Sequence, residues 1–234
     1  AALKWDDYQD PRGSGHFSGR LTAPLCIAGG LCIQWLEEKG VHIAAHIREI
    51  AGITDDPVHL DWVKPDLDAI RKDFPVLNDT AGKRMLAEIA KAKADGDSVG
   101  GIVECVVTGL PVGLGEPMFD GVESKLAQII YGIPAVKGLS FGSGFQGCRL
   151  RGSQNNDPFV IRDGNVQTLT NQAGGILGGI TTGMPLVFQV GIKPTPSIAK
   201  EQRSVNLDAM EETTLIVQGR HDPCIVPRAV PVIE

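Results

Sequence analysis

Aromatic side chains are scarce in this sequence: seven Phe, three Trp and two Tyr, 5% of 234 residues. A core built from it must be mainly aliphatic. No Cys-x-x-Cys pair occurs, and the five cysteines, at 26, 32, 105, 148 and 224, are odd in number. A disulfide framework and a zinc knuckle are both disfavoured, and reduced, mostly buried thiols are expected. No constellation of metal ligands is visible. Positive charge is in short supply, with 22 Lys and Arg against 28 Asp and Glu and a net charge of −6. That balance argues against a general nucleic-acid surface. The longest apolar run, 21–36, falls short of the ~20 residues of a membrane span and is interrupted by Gln34. It is read as a buried helix. The opening Ala-Ala-Leu-Lys-Trp-Asp-Asp lacks a signal-peptide pattern, and a cytoplasmic protein is expected. No low-complexity linker divides the chain, so one domain over residues 1–234 is expected.

What is present is apolar and glycine-rich. Hydrophobic residues are 42% and charged residues 21%, a globular composition. The 29 glycines imply many tight turns. Residues 18–39 predict a helix, with Ser18 as N-cap, apolar side chains at Leu21, Leu25, Ala28, Leu31, Cys32, Trp35 and Leu36, and Gly40 as the stop. Its Gly29-Gly30 pair costs about 1 kcal/mol per glycine, which close packing or a ligand would offset. Residues 41–50 alternate, with Val41, Ile43, Ala45 and Ile47 on one face and His42, Ala44, His46 and Arg48 on the other. That is the pattern of a half-buried strand. A helix capped by Asp79 runs to Gly96, and 99–107 is a β-branched strand. A further helix over 120–131 leads to a short strand at 135–141. Residues 159–170 form a hairpin turned at Asp163-Gly164, and 185–192 and 213–218 are strands. Periodicity leaves a parallel α/β sheet and an α+β arrangement both open; the strands after residue 158 favour α+β.

Six segments are too polar and glycine-rich for core: 13–20, 109–120, 142–157, 171–183, 193–197 and 219–228. Glycine loops let backbone N–H groups approach an anion. One such loop is weak evidence, since turns need glycine anyway. Six together, with Arg, Lys, Ser and Asn among them, point to a shared ligand site.

The wording of these loops resembles chorismate synthases. The motifs are Gly115-Glu-Pro-Met-Phe-Asp120, Ile133-Pro-Ala-Val-Lys-Gly138, Gly152-Ser-Gln-Asn-Asn-Asp157, Asn171-Gln-Ala-Gly-Gly-Ile-Leu-Gly-Gly-Ile180, Lys193-Pro-Thr-Pro-Ser-Ile198 and Gly219-Arg-His-Asp-Pro-Cys-Ile-Val-Pro-Arg-Ala-Val-Pro231. They are collinear, from about Trp5 onward. The family's Ser-His-Gly and Arg-Pro-Gly-His-Ala-Asp motifs, which carry two catalytic histidines, occur nowhere in the sequence. The resemblance thus implies a chain lacking the family's N-terminal segment and nearly inactive by itself. His16 stands where relatives often have arginine, so it is not read as a catalytic histidine.

The resemblance implies an α+β sandwich with a helical core between antiparallel sheets, assembled as a homotetramer. It implies a lyase of the shikimate pathway, which serves aromatic amino acid biosynthesis. The reaction is the anti-1,4-elimination of phosphate from 5-enolpyruvylshikimate 3-phosphate, giving chorismate, with reduced FMN required. NADPH on the protein itself and a separate reductase both stay open as the source of flavin electrons. The matching substrate positions are Arg20 and Arg228, whose forked guanidinium groups suit phosphate and carboxylate. The matching flavin positions are His16, Phe17, Ser18, Pro134, Ala135, Gly178, Lys193, Pro194, Thr195, Pro196, Ser197 and Arg220. Asp222 matches an aspartate that helps move a proton near the flavin. Plainer readings stand beside these: solvated arginines, a proline turn, and an Asx turn before Pro223. His221, His42, His46 and His59 are read as structural or solvent-facing. A non-catalytic flavin-binding or assembly module of the same family is the alternative function.

Overall fold

The computed structural model of the chain describes residues 2–6, 8, 15–59, 64–68, 70–219 and 221–234. Its strands, in chain order, are β1 (His42–Ile50), β2 (Ile53–Thr54), β3 (Gly101–Thr108), β4 (Val136–Phe141), β5 (Phe159–Arg162), β6 (Asn165–Thr168), β7 (Ile176–Leu177), β8 (Ile180–Thr181), β9 (Leu186–Ile192), β10 (Gln202–Asn206) and β11 (Glu211–Leu215). Five of them form an antiparallel sheet in the order β2-β1-β3-β9-β4. The others pair as the hairpins β5–β6, β7–β8 and β10–β11. The α+β class is therefore as the sequence predicts, and Asp163 and Gly164 turn the β5–β6 hairpin with φ of 49° and 76°.

Alternation decides which side of the main sheet is core. In β9, Leu186, Phe188, Val190 and Ile192 are buried, while the residues between them are partly exposed. With Ala45, Ile47, Val103 and Cys105 they face Met85 of the Asp79–Ala94 helix, Ile130 of the Val122–Ile130 helix, and Val226, Val230 and Ile233 of the Val226–Ile233 helix. Each fully buried aliphatic side chain here contributes about 1.5–3 kcal/mol. The core is aliphatic, as the shortage of aromatics requires.

The sequence misplaces some details. Strand β1 is covered on both faces, not half-buried. Leu67 and Ile70, with Val58 and Leu77, pack over Ala44 and Val106 on the second face. Asn78 rather than Asp79 caps the Asp79–Ala94 helix, accepting from the N–H groups of Thr80 and Ala81 at 3.0 and 3.2 Å. The 21–36 run is a helix, Thr22–Glu37, but not a buried one: none of its residues is buried. It meets the Val226–Ile233 helix and β1 on one side only, leaving Ile27 and Leu31 at 71% and 67% exposure. Ser18 caps the 3₁₀ turn that precedes this helix, accepting from the Arg20 N–H. All five cysteines are free, but only Cys105 and Cys224 are buried, because Cys26 and Cys32 ride on the uncovered helix and Cys148 on a surface loop.

Candidate functional site

Four separated segments converge on one cleft of about 620 Å³. The 3₁₀ turns before the Thr22–Glu37 helix supply Phe17 and Arg20. The turn entering β4 supplies Pro134 and Ala135. The loop leaving β9 supplies Lys193, Thr195, Pro196 and Ser197. The segment that enters the Val226–Ile233 helix supplies Asp222 and Arg228. The volume lies within the usual range for small-molecule sites.

Each wall has a local cause. Lys193 N donates to the Ala135 carbonyl at 3.0 Å, which joins the third segment to the second. Ala135 has a φ of 73°, a left-handed conformation that costs a non-glycine residue about 1–2 kcal/mol. Strain of this kind gathers at ligand sites. Prolines 194 and 196 restrict the 193–197 loop and lower the cost of ordering it. Pro227 falls in the first turn of the Val226–Ile233 helix, where a missing N–H costs nothing. That helix brings Arg228 back to pair with Asp222: Arg228 Nη1 meets Asp222 Oδ2.

The chemistry of the cleft is set by its charges. Among the described residues, Arg20, Lys193 and Arg228 line it against a single carboxylate, Asp222, on a chain whose net charge is −6. A local cation excess on an acidic protein draws anions to that point. Thr195 adds a polar group that nothing among the described residues satisfies, since its Oγ1 is buried without a hydrogen-bond partner. Such an orphan costs about 1–3 kcal/mol until a ligand pairs with it. Phe17 contributes a ring at 62% exposure, packed on one side against Trp5 with ring centroids 5.8 Å apart. Behind the wall, burial pushes the Cys224 thiol up to about 11, so it stays protonated and is no nucleophile at neutral pH.

Not every expected residue arrives here. His16, Ser18, Pro194 and Gly178 do not line the cleft. Ser18 is occupied in capping, and Gly178 lies in the β7–β8 turn with a φ of 61°. Arg220 falls outside the described residues. His221 is held by Val217, its Nε2 donating to that carbonyl at 2.9 Å, in keeping with a structural role. Of the six glycine loops, those at 142–157 and 171–183 knit to each other instead. Asp157 accepts from the N–H groups of Gln172 and Ala173 at 2.7 and 2.9 Å, and Asn171 bridges Gly175 and Pro185. The 109–120 loop borders a second cavity of about 480 Å³ whose walls are mostly apolar, including Leu36, Val107, Leu126 and Phe188. Among the described residues Lys125 is the one cation on its wall, and it pairs with Asp120 at 2.6 Å.

The sequence reading missed a second polar cluster. His46 is fully buried between two carboxylates, its Nδ1 3.3 Å from Asp55 Oδ2 and its Nε2 3.1 Å from Glu104 Oε1. Burial by itself lowers the His46 pKa, but its hydrogen bonds to Asp55 and Glu104 outweigh it and the net shift is upward. Burial raises both carboxyls, and the His46 bond, with others from Leu77, Asn78, Gln189 and Val58, brings them below their ordinary values. The cross-strand register His46↔Glu104↔Gln189 follows from the pairing of β1, β3 and β9. A polar residue inside the apolar run of each of these three neighbouring strands is the available signal. Among the described residues no group of three or more His, Cys, Asp or Glu could hold a metal ion, and no helix is long and apolar enough to cross a membrane.

Fold and cleft together define an α+β protein with a cleft walled by Arg20, Lys193 and Arg228. A sequence profile described as chorismate synthase matches residues 1–234. A chorismate synthase of Dehalococcoides mccartyi is 47% identical over 232 residues, covering 99% of this chain and 63% of the relative. One of Thermococcus gammatolerans is 49% identical over 235 residues, covering 100% of this chain and 64% of the relative. A solved structure described as "Crystal Structure of Chorismate Synthase" shares the fold, with a TM-score of 0.78 at 24% identity over 100% of this chain and 65% of that one. The chain belongs to the chorismate synthase family, and spans a little under two thirds of the length of these relatives.

Proposed function

We propose that the cleft is the flavin and substrate site of a chorismate synthase. Reduced FMN and 5-enolpyruvylshikimate 3-phosphate are its ligands, and chorismate and phosphate its products. The observation that carries this reading is the cleft's composition: three cations and an unpaired buried Thr195 hydroxyl around about 620 Å³. Family membership supports it.

Lys193, Thr195 and Ser197 would hold the flavin phosphate and ring oxygens, with Phe17 and the 134–135 turn against the ring. Bound reduced FMN supplies transient electron donation to the substrate, with no net redox change. The protein's own part is to bind, orient and exclude water. Arg20 and Arg228 place cations where phosphate charge develops as the C–O bond breaks. Asp222, as a carboxylate, can accept a proton inside the cleft, and its pairing with Arg228 fixes where that carboxylate points. The natural assembly is proposed to be a homotetramer.

The test is a pair of dissociation constants, for oxidised FMN and for the substrate, on the chain and on Arg228→Ala. Loss of a charge-assisted contact of about 1.5–3 kcal/mol weakens substrate roughly ten- to a hundredfold. Flavin affinity should change much less. Equal losses for both ligands would remove Arg228 from the substrate list. Arg228→Lys should recover only part of the affinity, since the fork is lost.

A further inference from the structure

We propose that the turn at 95–100 is a brace that sets the two ligand loops of the cleft relative to one another, and that Ser98 is a positioning residue for the flavin bound there. The flavin clause rests on the function proposed above; the brace itself rests on geometry alone.

The turn begins where the Asp79–Ala94 helix stops, and it ends at the start of β3. It faces two loops that are far apart in sequence. Toward the 193–200 side, Ser98 Oγ donates to the Thr195 carbonyl at 2.7 Å, and Ala199 N donates to the Gly96 carbonyl at 3.0 Å. Lys200 Nζ pairs with Asp97 Oδ2 at 2.7 Å. Toward the 221–225 side, Val99 N donates to the Pro223 carbonyl at 2.8 Å. The same six residues thus hold the loop bearing Thr195 with one hand and the loop bearing Asp222 with the other.

The contact leaves no slack. A Cβ on Gly100 would lie 2.4 Å from the Ile192 carbonyl and 2.9 Å from Pro194 Cδ. Glycine is the residue that lets the turn seat directly against the 193–197 loop. Ser98 then fixes the carbonyl of the residue whose own Oγ1 is buried without a partner. Holding Thr195 by its backbone frees its hydroxyl for a ligand and sets where that hydroxyl sits. Ser98 never touches the ligand; it acts through Thr195.

Ser98→Ala and Ser98→Thr separate positioning from packing. Alanine removes the donor, while threonine keeps it. Loss of a neutral hydrogen bond is worth about two- to tenfold in affinity. Oxidised FMN, titrated by fluorescence quenching, should bind Ser98→Ala weaker by that factor and Ser98→Thr within about twofold of the parent. Amide hydrogen exchange should quicken in 193–200 and 221–225 of Ser98→Ala and remain unchanged in β3 and β9. Parent-like exchange in both loops, equal weakening in alanine and threonine variants, or faster exchange spread through the sheet would each overturn the brace. If the parent fails to bind FMN while Ser98→Ala still loosens both loops, the flavin reading falls and the brace stands.

Discussion

At the residue scale the buried imidazole His46 makes the sharpest demand on pH. Both its ring nitrogens face carboxylate oxygens. A neutral imidazole has only one N–H to donate, so only the imidazolium satisfies Asp55 and Glu104 together. Arg48 Nε, 4.0 Å from Glu104 Oε2, is a second cation facing the cluster. The two carboxylates also accept from Leu77, Asn78 and Val58 N–H groups, so they pin the segment that covers the sheet's second face. The sign of the linkage follows from the shifts. His46 is raised from 6.5, so its contribution is complete below that value and fades as pH climbs through the folded pKa. Asp55 and Glu104 are lowered from 3.8 and 4.5, so theirs is complete above those values and fades as pH falls through the folded ones. His46→Gln strands two buried carboxylates, a loss of about 3–5 kcal/mol. Urea denaturation at about pH 6 and about pH 9 should show a gap between parent and variant that narrows at the higher pH. A gap of constant size would mean that His46 is neutral in the folded protein.

At the scale of single elements, the Thr22–Glu37 helix was legible as a helix and not as a surface. Its apolar side chains recur on every side, which periodicity reads as burial. Burial needs neighbours on every side as well, and here the Val226–Ile233 helix and β1 provide them on one. The exposed Leu25, Ile27, Leu31 and Trp35 make an uncovered apolar face of the kind that drives association. Sedimentation velocity at rising concentration should show the chain self-associating, and Leu31→Glu should shift it toward monomer. Because Leu31 is 67% exposed, the substitution should alter stability by no more than about 0.5 kcal/mol. Unchanged association in Leu31→Glu would place the contact elsewhere. The Val226–Ile233 helix was missed for the opposite reason. Pro227 and Pro231 look like breakers in sequence, but the first sits in the opening turn. Asn78 was passed over as a cap because Asp79, beside it, is an equally good cap by residue type.

At the scale of the whole molecule, the cleft draws on residues from Phe17 to Val232. No local pattern announces that juxtaposition. The composition of the loops marked them as too polar for core, and their wording marked the family. Neither feature distinguishes loops that bind a ligand from loops that bind each other. Asp157 and Asn171 have the look of ligand residues, yet their side chains are spent on neighbouring backbone. Gly178 shares the motif of Asn171 and lies in the β7–β8 hairpin. What separates the two sets is the satisfaction of polar groups, which only the folded chain displays. Thr195, with its buried unpaired hydroxyl, is on the other side of that division. The most direct measurement is therefore equilibrium binding of oxidised FMN to the chain, compared with Lys193→Ala and Thr195→Val. Saturable binding that weakens in both variants, by roughly tenfold or more where the charge is lost, is the expected result. Absence of saturable binding, or binding that neither substitution disturbs, would contradict the assignment of this cleft to the flavin.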